Sequence, residues 1–339
     1  MQQAFRIEIE GGPGFACGAH ENLVSAAERA GWVLPSSCRA GACGSCEGQV
    51  AQGSFVVPGR NGDGEPLTAP ACDVKLCRVK PRSDLRIVPR AFAALDEKAR
   101  KPLVAKVLRI EKPSAEVAVL KLRFPAGVRA KFRAGQYLQV LLEDGQERCF
   151  SMANPPQASD GVELHVRYLP GGRFAEAVFH ALKPGDAVQL RLPLGEFYVR
   201  ESDRPLIFLA GGTGFAPVQA MVEDLIRRGV QRPMAIYFGA RTTELLYREA
   251  VVQQWRQKRP DLRYVPVVSR PTPEQGWQGR TGRVHEAVLQ DHATLAGHEV
   301  YACGAPGMIE VARQAFLGAG VAANDFHCDA FVSSAERAV

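Results

Sequence analysis

Four cysteines constrain the N-terminal part of this chain more than any other feature. Three of them follow the spacing Cys38-x4-Cys43-x2-Cys46, and Cys77 lies further on, in the apolar stretch "KLCRVKP". The opening "MQQAFRIEIEGG" has no basic segment followed by an apolar stretch, so no signal peptide is expected. Thiols that stay in the cytosol are kept reduced. Clustered cysteines in that setting predict a metal or redox site rather than disulfides.

The spacing C-x4-C-x2-C…C is that of a [2Fe–2S] loop. Two irons and two sulfides need four converging thiolates, and Gly41 and Gly44 let the backbone turn tightly around them. Zinc is the alternative metal, but it favours paired C-x2-C motifs, and only one such pair is present. Cys72 is the alternative fourth ligand; Cys77 is favoured because it continues an apolar strand. The predicted iron ligands are Cys38, Cys43, Cys46 and Cys77.

Hydrophobic patterning divides the chain into three predicted domains and a linker. Residues 1–90 read as short strands with one helix, and the charged residues 91–101 read as a linker. Residues 102–202 contain short strands separated by turn signals, which predicts an antiparallel barrel. Residues 203–339 alternate buried strands with amphipathic helices, which predicts βαβ units and a parallel sheet.

Composition narrows the possible partners. The 339 residues carry a net charge of +6, spread along the chain without a basic run, which argues against nucleic-acid binding. No apolar stretch is long enough to span a bilayer, so no membrane contact is expected. The expected location is the cytoplasm.

The first 90 residues resemble plant-type ferredoxins. The resemblance rests on the four cysteines and on the context "SCRAGACGSC" around three of them. It implies an α+β domain of the β-grasp type that holds a [2Fe–2S] cluster.

The stretch "RCFS", from Arg148 to Ser151, resembles the R-x-[YF]-S motif of the ferredoxin–NADP reductase family. In that family the arginine pairs with the FAD pyrophosphate, the aromatic ring packs on the isoalloxazine, and the serine lies near N5. The resemblance implies that Arg148, Phe150 and Ser151 bind FAD on a six-stranded antiparallel barrel. FMN is the alternative flavin, but relatives that use FMN usually place the iron–sulfur domain last, and here it comes first.

The stretch "HVRYLPGGRFA" resembles the next flavin segment of the same family. Glycine-rich turns expose backbone N–H groups to phosphates. The resemblance implies two groups of flavin-binding residues: His165, Val166 and Arg167 along the isoalloxazine edge, and Gly171, Gly172, Arg173 and Phe174 at the pyrophosphate.

A strand, a glycine-rich turn and a helix follow in "PLIFLAGGTGFAPVQAMVEDL". This order presents backbone N–H groups and a positive helix end to a pyrophosphate. It resembles the family's "AGGTGxxP" segment, and "YACGAPGMI" resembles the later strand whose cysteine lies beside the nicotinamide C4. The resemblance implies a Rossmann-like α/β domain that binds nicotinamide nucleotide through Gly211, Gly212, Thr213, Gly214, Pro217, Cys303, Gly304, Pro306 and Met308. Pro217 is predicted to start the helix, and Phe331 to lie against the flavin face.

The choice of nucleotide stays open at this stage. Ser269 and Arg270 follow the third strand of the predicted parallel sheet, where NADPH-using relatives grip the 2′-phosphate. Most reductases of aromatic-ring oxygenases favour NADH instead. The expected electron donor is therefore NADH or NADPH.

The whole chain resembles reductase components of bacterial oxygenases, most closely those of Rieske aromatic-ring dioxygenases acting on terephthalate or similar carboxylates. The resemblance implies that NAD(P)H delivers a hydride to FAD, that electrons leave singly through the cluster, and that the partner is a Rieske-type terminal oxygenase. Ser151, Thr213, Cys303 and Phe331 are its implied catalytic residues. No Cys-x-His pair for a Rieske centre is present, so the oxygen chemistry belongs to another subunit.

Three alternative functions remain open from the sequence. The first two are the reductase of a diiron monooxygenase and a reductase of deoxysugar synthesis, which share this domain order. The third is a zinc-stabilised nucleotide-binding module without a redox role.

Overall fold

The structure is a computed structural model that describes residues 3–37, 39, 41, 44–58, 65–95, 102–273 and 276–332. The chain divides into two compact units, the first before residue 99 and the second covering residues 99–331. The second unit therefore includes both the predicted flavin-binding and the predicted nucleotide-binding segments. No helix among the described residues is both long and apolar enough to cross a membrane.

The first unit is built on a five-stranded sheet with the order β2-β1-β9-β4-β7. Its strands are β1 Ala4–Ile9, β2 Gly14–Gly18, β3 Trp32–Val33, β4 Glu47–Gln52, β5 Ser54–Val56, β6 Leu67–Thr68, β7 Ala71–Lys75, β8 Lys80–Pro81, β9 Leu85–Pro89 and β10 Ala93–Ala94, and its helix is α1 Leu23–Arg29. Alternation in β1 buries Ile7 and Ile9. Asn22 caps α1 by accepting a hydrogen bond of 2.9 Å from the Ser25 N–H. This sheet and helix confirm the predicted α+β domain.

The predicted linker begins within the first unit. Ala93 and Ala94 pair with Val33 and Trp32 as an antiparallel two-stranded sheet. The Leu95 N–H then donates to the Gly31 carbonyl at 2.8 Å. Residues 96–101 of the predicted linker lie outside the described residues.

An antiparallel six-stranded sheet opens the second unit, with the order β14-β13-β16-β11-β12-β15. Its elements are β11 Leu103–Glu111, β12 Val117–Arg123, β13 Tyr137–Leu141, β14 Glu147–Ser151, β15 Gly161–Arg167, α2 Arg173–Glu176 and β16 Ala187–Leu194. Just past the edge strand β14, Met152 forms a bridge to Leu164 of the other edge strand, β15. The two edges therefore meet near Ser151. The stretch "AEAVFHAL" (175–182) predicts one short helix in this segment; the helix begins two residues earlier, as α2, and continues as a π-helical turn, Ala177–Ala181.

A parallel six-stranded sheet follows, with the order β20-β19-β18-β17-β21-β22. Its elements are β17 Leu206–Gly211, α3 Phe215–Arg227, β18 Met234–Ala240, α4 Glu249–Lys258, β19 Arg263–Val268, β20 Arg280–Thr281, α5 Val284–Asp291, β21 Glu299–Gly304, α6 Pro306–Gly318 and β22 Phe326–Ala330. From β17 the chain adds β18, β19 and β20 in turn on one side of that strand. It then crosses back and adds β21 and β22 on the other side. Ligands bind open α/β sheets at such a reversal, beyond the carboxyl ends of the strands.

Two helix predictions need correction. The stretch "ELLYREAVVQQWRQK" (244–258) predicts a single helix, but a short 3₁₀ turn at Thr243–Leu245 is followed by α4, which begins only at Glu249. Tyr247 and Arg248 lie in the connection, because their side chains bind groups on β15. Pro217 was predicted to start its helix, but α3 begins at Phe215, so the proline lies in the first turn. A proline is tolerated there because first-turn N–H groups have no partner within the helix.

Candidate redox site

Two of the four predicted iron ligands converge in the first unit. The Sγ atoms of Cys46 and Cys77 are 3.1 Å apart, and both residues are buried. Cys46 directly precedes β4 and Cys77 follows β7, and the pairing of these strands brings the two thiols together. Cys38 and Cys43 lie outside the described residues. Two buried thiols that meet at one point fit a thiolate-held cluster.

The described part of the cysteine loop needs left-handed backbone. Gly41 and Gly44 have φ of +79° and +76°, and Arg39 has φ of +54°. A Cβ on Gly41 would lie 2.9 Å from the Arg78 side chain, so glycine is required there for space as well. The Arg39 guanidinium forms a bidentate ion pair with Glu28 of α1, which ties the loop to the helix.

Cys72, the alternative fourth ligand, is exposed on β7. Within the described ranges, no group of three or more His, Cys, Asp or Glu side chains could hold a metal ion. Cys46 and Cys77 are therefore the part of the predicted ligand set that the structure places.

Ser151 supplies the clearest polar feature of the flavin segment. It ends β14, it is 6 % exposed, and its Oγ has no hydrogen-bond partner among the described residues. A buried hydroxyl without a partner is destabilising by about 1–3 kcal/mol. The polar edge of a flavin ring would satisfy it, so this residue fits the cofactor that the sequence predicts.

The strand with the "RCFS" motif meets the glycine-rich flavin turn through two aromatic rings. The centroids of Phe150 and Phe174 are 5.2 Å apart. Among the described residues, the Arg148 guanidinium donates to two neutral acceptors, the Gln146 Oε1 at 2.6 Å and the Glu147 carbonyl at 3.0 Å. Its charge therefore remains available to a phosphate.

The glycine-rich flavin turn leaves room beside its backbone. Gly171 has φ of +76°, and a Cβ there would meet no atom within 4 Å. Gly172 caps α2, and Arg173 at the start of that helix pairs with Asp144. Open backbone at a short turn next to a guanidinium fits an approaching pyrophosphate.

The three residues predicted to line the isoalloxazine edge have different environments. The His165 side chain is enclosed by Glu163 and Tyr247, and Val166 is fully buried in the core of the antiparallel sheet. Arg167 is exposed and pairs with Glu116 at 3.2 Å. A flavin could therefore contact His165 and Val166 through the backbone of β15, whereas the Arg167 side chain is itself accessible.

The glycine-rich nucleotide turn is pressed against the end of β21. A Cβ on Gly214 would lie 2.2 Å from the Cys303 carbonyl oxygen, and one on Gly211 would lie 2.6 Å from the Met308 Sδ. Gly212 has φ of +55° and faces open space. Glycine is therefore needed for contact on one side and for an open backbone on the other. Thr213 lies within this 3₁₀ turn, directly before Gly214.

The remaining residues predicted to bind the nucleotide lie at the end of β21. Pro306 opens α6 in its first turn, and Gly304 has φ of +145°. The Phe331 N–H donates to the Gly304 carbonyl at 2.8 Å, which holds the predicted aromatic residue at this edge of the sheet.

Asp329 was missed by the sequence reasoning. It pairs in register with Cys303, between β22 and β21, and it is 5 % exposed. Burial and then the Asp329 carboxylate raise the pKa of the Cys303 thiol well above its usual range, so the thiol stays protonated. A carboxylate between the apolar residues Cys328 and Ala330 of this edge strand was the signal that could have identified it.

Ser269 and Arg270 are exposed just beyond the carboxyl end of β19. The Arg270 N–H donates to the Arg241 carbonyl at 2.9 Å, so two arginines are neighbours there. Arg241, which the sequence reasoning missed, pairs with Glu116 at 3.1 Å. Sequence reasoning also missed Glu163 and the side chains bound to it, which join the two halves of this unit.

Comparison with protein families assigns a domain to each of the three segments. Residues 7–82 match a 2Fe-2S iron-sulfur cluster binding domain, residues 104–198 an oxidoreductase FAD-binding domain, and residues 208–314 an oxidoreductase NAD-binding domain. Fold and site thus define an NAD(P)H-dependent oxidoreductase that uses FAD and a [2Fe–2S] cluster. The matched ranges fall inside the predicted domains, whose boundaries stay predictions.

Whole-chain relatives extend this class to a family. The chain is 40 % identical over 324 residues to reductase component 1 of terephthalate 1,2-dioxygenase from Comamonas sp., covering 94 % of this chain and 95 % of the relative. It is 38 % identical over 305 residues to a CDP-6-deoxy-L-threo-D-glycero-4-hexulose-3-dehydrase reductase from Yersinia pseudotuberculosis, covering 88 % and 89 %.

A solved structure is also similar over nearly the whole chain. The cytochrome P450 reductase of Amycolatopsis superposes with a TM-score of 0.75 at 26 % identity, covering 97 % of this chain and 99 % of that one. The chain belongs to the family of iron–sulfur flavoprotein reductases that includes the terephthalate dioxygenase reductase components.

Proposed function

We propose that this chain is the reductase component of a Rieske aromatic-ring dioxygenase system and that its partner is the terminal oxygenase. The observation that carries the proposal is the 40 % identity to a terephthalate dioxygenase reductase component, which extends over 94 % of this chain. Electrons enter from NAD(P)H, pass through FAD and the [2Fe–2S] cluster, and leave to the partner protein. A cytoplasmic location remains a prediction that rests on the reduced thiols the cluster requires.

The flavin-binding residues have separate roles in this proposal. Bound FAD supplies the conversion of a hydride, which carries two electrons, into single electrons. Arg148 and the Gly171–Gly172 turn bind the pyrophosphate, since a guanidinium and open backbone N–H groups suit phosphate oxygens. The buried Ser151 hydroxyl gains its missing hydrogen bond at the flavin ring.

The nucleotide-binding residues orient the donor. The Gly211–Gly214 turn and the start of α3 present N–H groups to the nucleotide pyrophosphate. Thr213 and Cys303 lie where the nicotinamide reaches the sheet, and the protonated Cys303 thiol adds no negative charge beside the hydride. Phe331 covers the adjoining flavin face. Ser269 and Arg270 bind the 2′-phosphate of the nucleotide where one is present, and Arg241 beside them adds positive charge.

The cysteine loop is the proposed exit for electrons. Cys46 and Cys77, with Cys38 and Cys43, ligate the cluster, and the sulfur atoms of the first two already meet. Contacts between electron-transfer partners are small and transient. The oxygenase is therefore expected to bind over the loop only briefly.

A dehydratase of deoxysugar synthesis is the second candidate partner. The 38 % identity to the Yersinia dehydrase reductase favours it, because that protein matches 88 % of this chain. The two candidates share the electron path and differ only in the acceptor.

Anaerobic titration with NADH and with NADPH, followed by addition of purified candidate partners, tests the proposal. We expect the flavin and [2Fe–2S] absorbance bands to bleach on nucleotide addition and to recover when an oxidised Rieske oxygenase is added. Recovery with the dehydratase alone would contradict the proposed partner. A colourless protein without iron and acid-labile sulfide would refute the electron path itself.

A further inference from the structure

A buried carboxylate joins the flavin-binding half of the second unit to its nucleotide-binding half. Glu163 lies on β15 and its side chain is 9 % exposed. Its Oε1 accepts hydrogen bonds from Gln219 Nε2 and Arg248 Nη2, both at 2.9 Å, and its Oε2 lies 3.1 Å from Lys121 Nζ. Gln219 belongs to α3 and Arg248 directly precedes α4. One carboxylate therefore binds two elements of the other half.

These contacts form a closed and ionised group. Arg248 Nε also donates to the Gln219 Oε1 at 3.0 Å, so Glu163, Gln219 and Arg248 bind one another pairwise. Burial alone raises the pKa of the Glu163 carboxyl, but the hydrogen bond from His165 and the charges of Arg248 and Lys121 outweigh burial and hold that pKa below its usual range. Glu163 is therefore a carboxylate at neutral pH.

A second branch runs from Glu163 to the glycine-rich nucleotide turn. The His165 Nε2–H donates to Glu163 Oε1 at 3.2 Å, and His165 Nδ1 accepts from the Tyr247 hydroxyl at 2.9 Å. Burial lowers the pKa of His165, so the imidazole is neutral and its two partners fix its tautomer. The Tyr247 ring meets Phe215 edge-on at 6.3 Å, and Phe215 directly follows the Gly212–Gly214 turn.

Both branches end next to a cofactor segment. β15, which carries Glu163 and His165, also carries Val166 and Arg167 of the flavin segment, and it packs against the Gly212–Gly214 turn. α3, which carries Gln219, begins where that turn ends. A buried ion pair seldom improves stability over apolar packing, but its directional bonds fix one arrangement of the elements it joins. At this site the hydrogen bonds of Glu163 therefore fix the positions of the elements rather than increase the stability of the fold.

We propose that Glu163 is a positioning residue that holds the nucleotide turn at a fixed distance from the flavin strand and so sets the approach of the nicotinamide to the flavin. The inference rests on the proposed electron path, but only on its first step. Hydride transfer falls steeply with small errors in position, and a displacement of about 1 Å can reduce a rate by about 100-fold. A residue that touches neither cofactor can therefore limit this step.

The test is single-turnover reduction of the FAD-loaded full chain by NADH and NADPH. Glu163→Gln keeps the shape of the side chain and removes its charge, and we expect it to slow flavin reduction about tenfold. The FAD content and the flavin midpoint potential should stay close to those of the parent protein, while amide hydrogen exchange over residues 211–219 should become faster. Asp160→Asn is the matched control: it removes a carboxylate that pairs with Arg123 at the exposed end of the strand pair β12–β15, and it should change none of these.

Two further variants keep the test decisive if Glu163→Gln folds poorly. Tyr247→Phe retains the ring and removes only the hydroxyl bound to His165, so it should slow flavin reduction about two- to fivefold, as loss of one hydrogen bond would. Arg248→Met completes a double-variant comparison. The double variant Glu163→Gln/Arg248→Met should reduce its flavin no more slowly than the slower of the two single variants, because the two side chains act as a unit.

Other results would overturn the inference. A variant that loses FAD or thermal stability but reduces its remaining flavin at the parent rate would show a purely structural role. Additive losses in the double variant would also contradict the proposal. Failure of the proposed function looks different, because the parent protein itself would then not be reduced by nucleotide.

Discussion

At the scale of single residues, Ser151 and Cys303 show how burial prepares side chains for a cofactor. The Ser151 hydroxyl is buried without a partner among the described residues, at the point where Met152 bridges the two edge strands. The Cys303 thiol is buried beside Asp329 and stays protonated. Each feature is unfavourable or neutral for folding alone, and each becomes useful when a flat, polar ring lies against it.

Ser151→Ala separates the two roles of that hydroxyl. In the flavin-free protein the free energy of unfolding should stay unchanged or rise by about 1 kcal/mol, because the variant removes a buried group without a partner. FAD affinity should fall about two- to tenfold, since one hydrogen bond of about 0.5–1.5 kcal/mol is lost. Urea unfolding without FAD and a flavin fluorescence titration measure the two quantities.

Ser114→Ala is a useful comparison, because Ser114 accepts a hydrogen bond from the Val117 N–H before β12, away from the flavin segment. It should lower stability equally with and without FAD. A loss of stability in flavin-free Ser151→Ala would mean that the hydroxyl has a protein partner, and the assignment to the flavin would fail.

Residues could be predicted where the chemistry is local in sequence. The cysteine spacing marks Cys46 as a candidate cluster ligand, and the glycine-rich neighbours mark Thr213 as a candidate nucleotide-binding residue. Glu163, Gln219 and Arg248 could not be predicted, because they come from three distant segments and meet only when two sheets pack side by side. Nothing in the sequence around any one of them marks its partners.

At the scale of elements, tertiary contacts overrode local propensity in the segment before α4. The stretch "ELLYREAVVQQWRQK" consists largely of good helix formers, so the sequence predicted a single helix. In the structure Tyr247 and Arg248 bind His165 and Glu163 instead, and α4 starts after them. The alternation of strands and helices, by contrast, gave the correct parallel sheet, because buried strands and amphipathic helices differ in period.

The edge strand β22 should respond to acid through His327. Burial and the nearby Arg200 charge lower the pKa of His327 to about 4, and its ring stacks on Tyr301 of β21 at 4.8 Å. Because the folded-state pKa lies below the ordinary value near 6.5, the neutral ring contributes stability above pH 6.5, and that stability is lost as the pH falls towards 4. We expect a loss of order 2 kcal/mol between pH 7 and pH 4.5.

His327→Phe keeps the stacked ring and removes the titrating group. Its thermal unfolding temperature should therefore fall less between pH 7 and pH 4.5 than that of the parent protein. Carboxylates away from this ring titrate alike in both proteins, so the difference isolates His327 together with its neighbours Glu299 and Asp325. His20→Gln, an exposed change in the first unit, should leave the dependence unaltered. Identical pH profiles for His327→Phe and the parent would contradict the assignment.

At the scale of the whole molecule, two compact units divide the electron path. The residues proposed to bind FAD and the nicotinamide nucleotide belong to the unit covering 99–331, and the cysteine loop belongs to the unit before it. Each domain has its own local signature, which is why three domains could be predicted from one sequence. The contacts between the flavin-binding and nucleotide-binding halves have no such local signature. The contacts of Glu163 therefore become visible only in the folded structure.

This division predicts that electron uptake and electron delivery can be separated in the intact chain. Cys77→Ser removes a buried thiol that meets Cys46, so iron and acid-labile sulfide should be lost, along with reduction of the oxygenase. Reduction of FAD by NAD(P)H should continue, because the residues proposed for that step lie in the other unit. Cys72→Ser removes an exposed thiol on β7; it is the matched control and should retain the cluster and the reduction of the oxygenase.

If Cys72→Ser loses the cluster and Cys77→Ser keeps it, the fourth ligand has been assigned to the wrong cysteine. If Cys77→Ser loses the cluster and still reduces the oxygenase, electrons leave directly from the flavin.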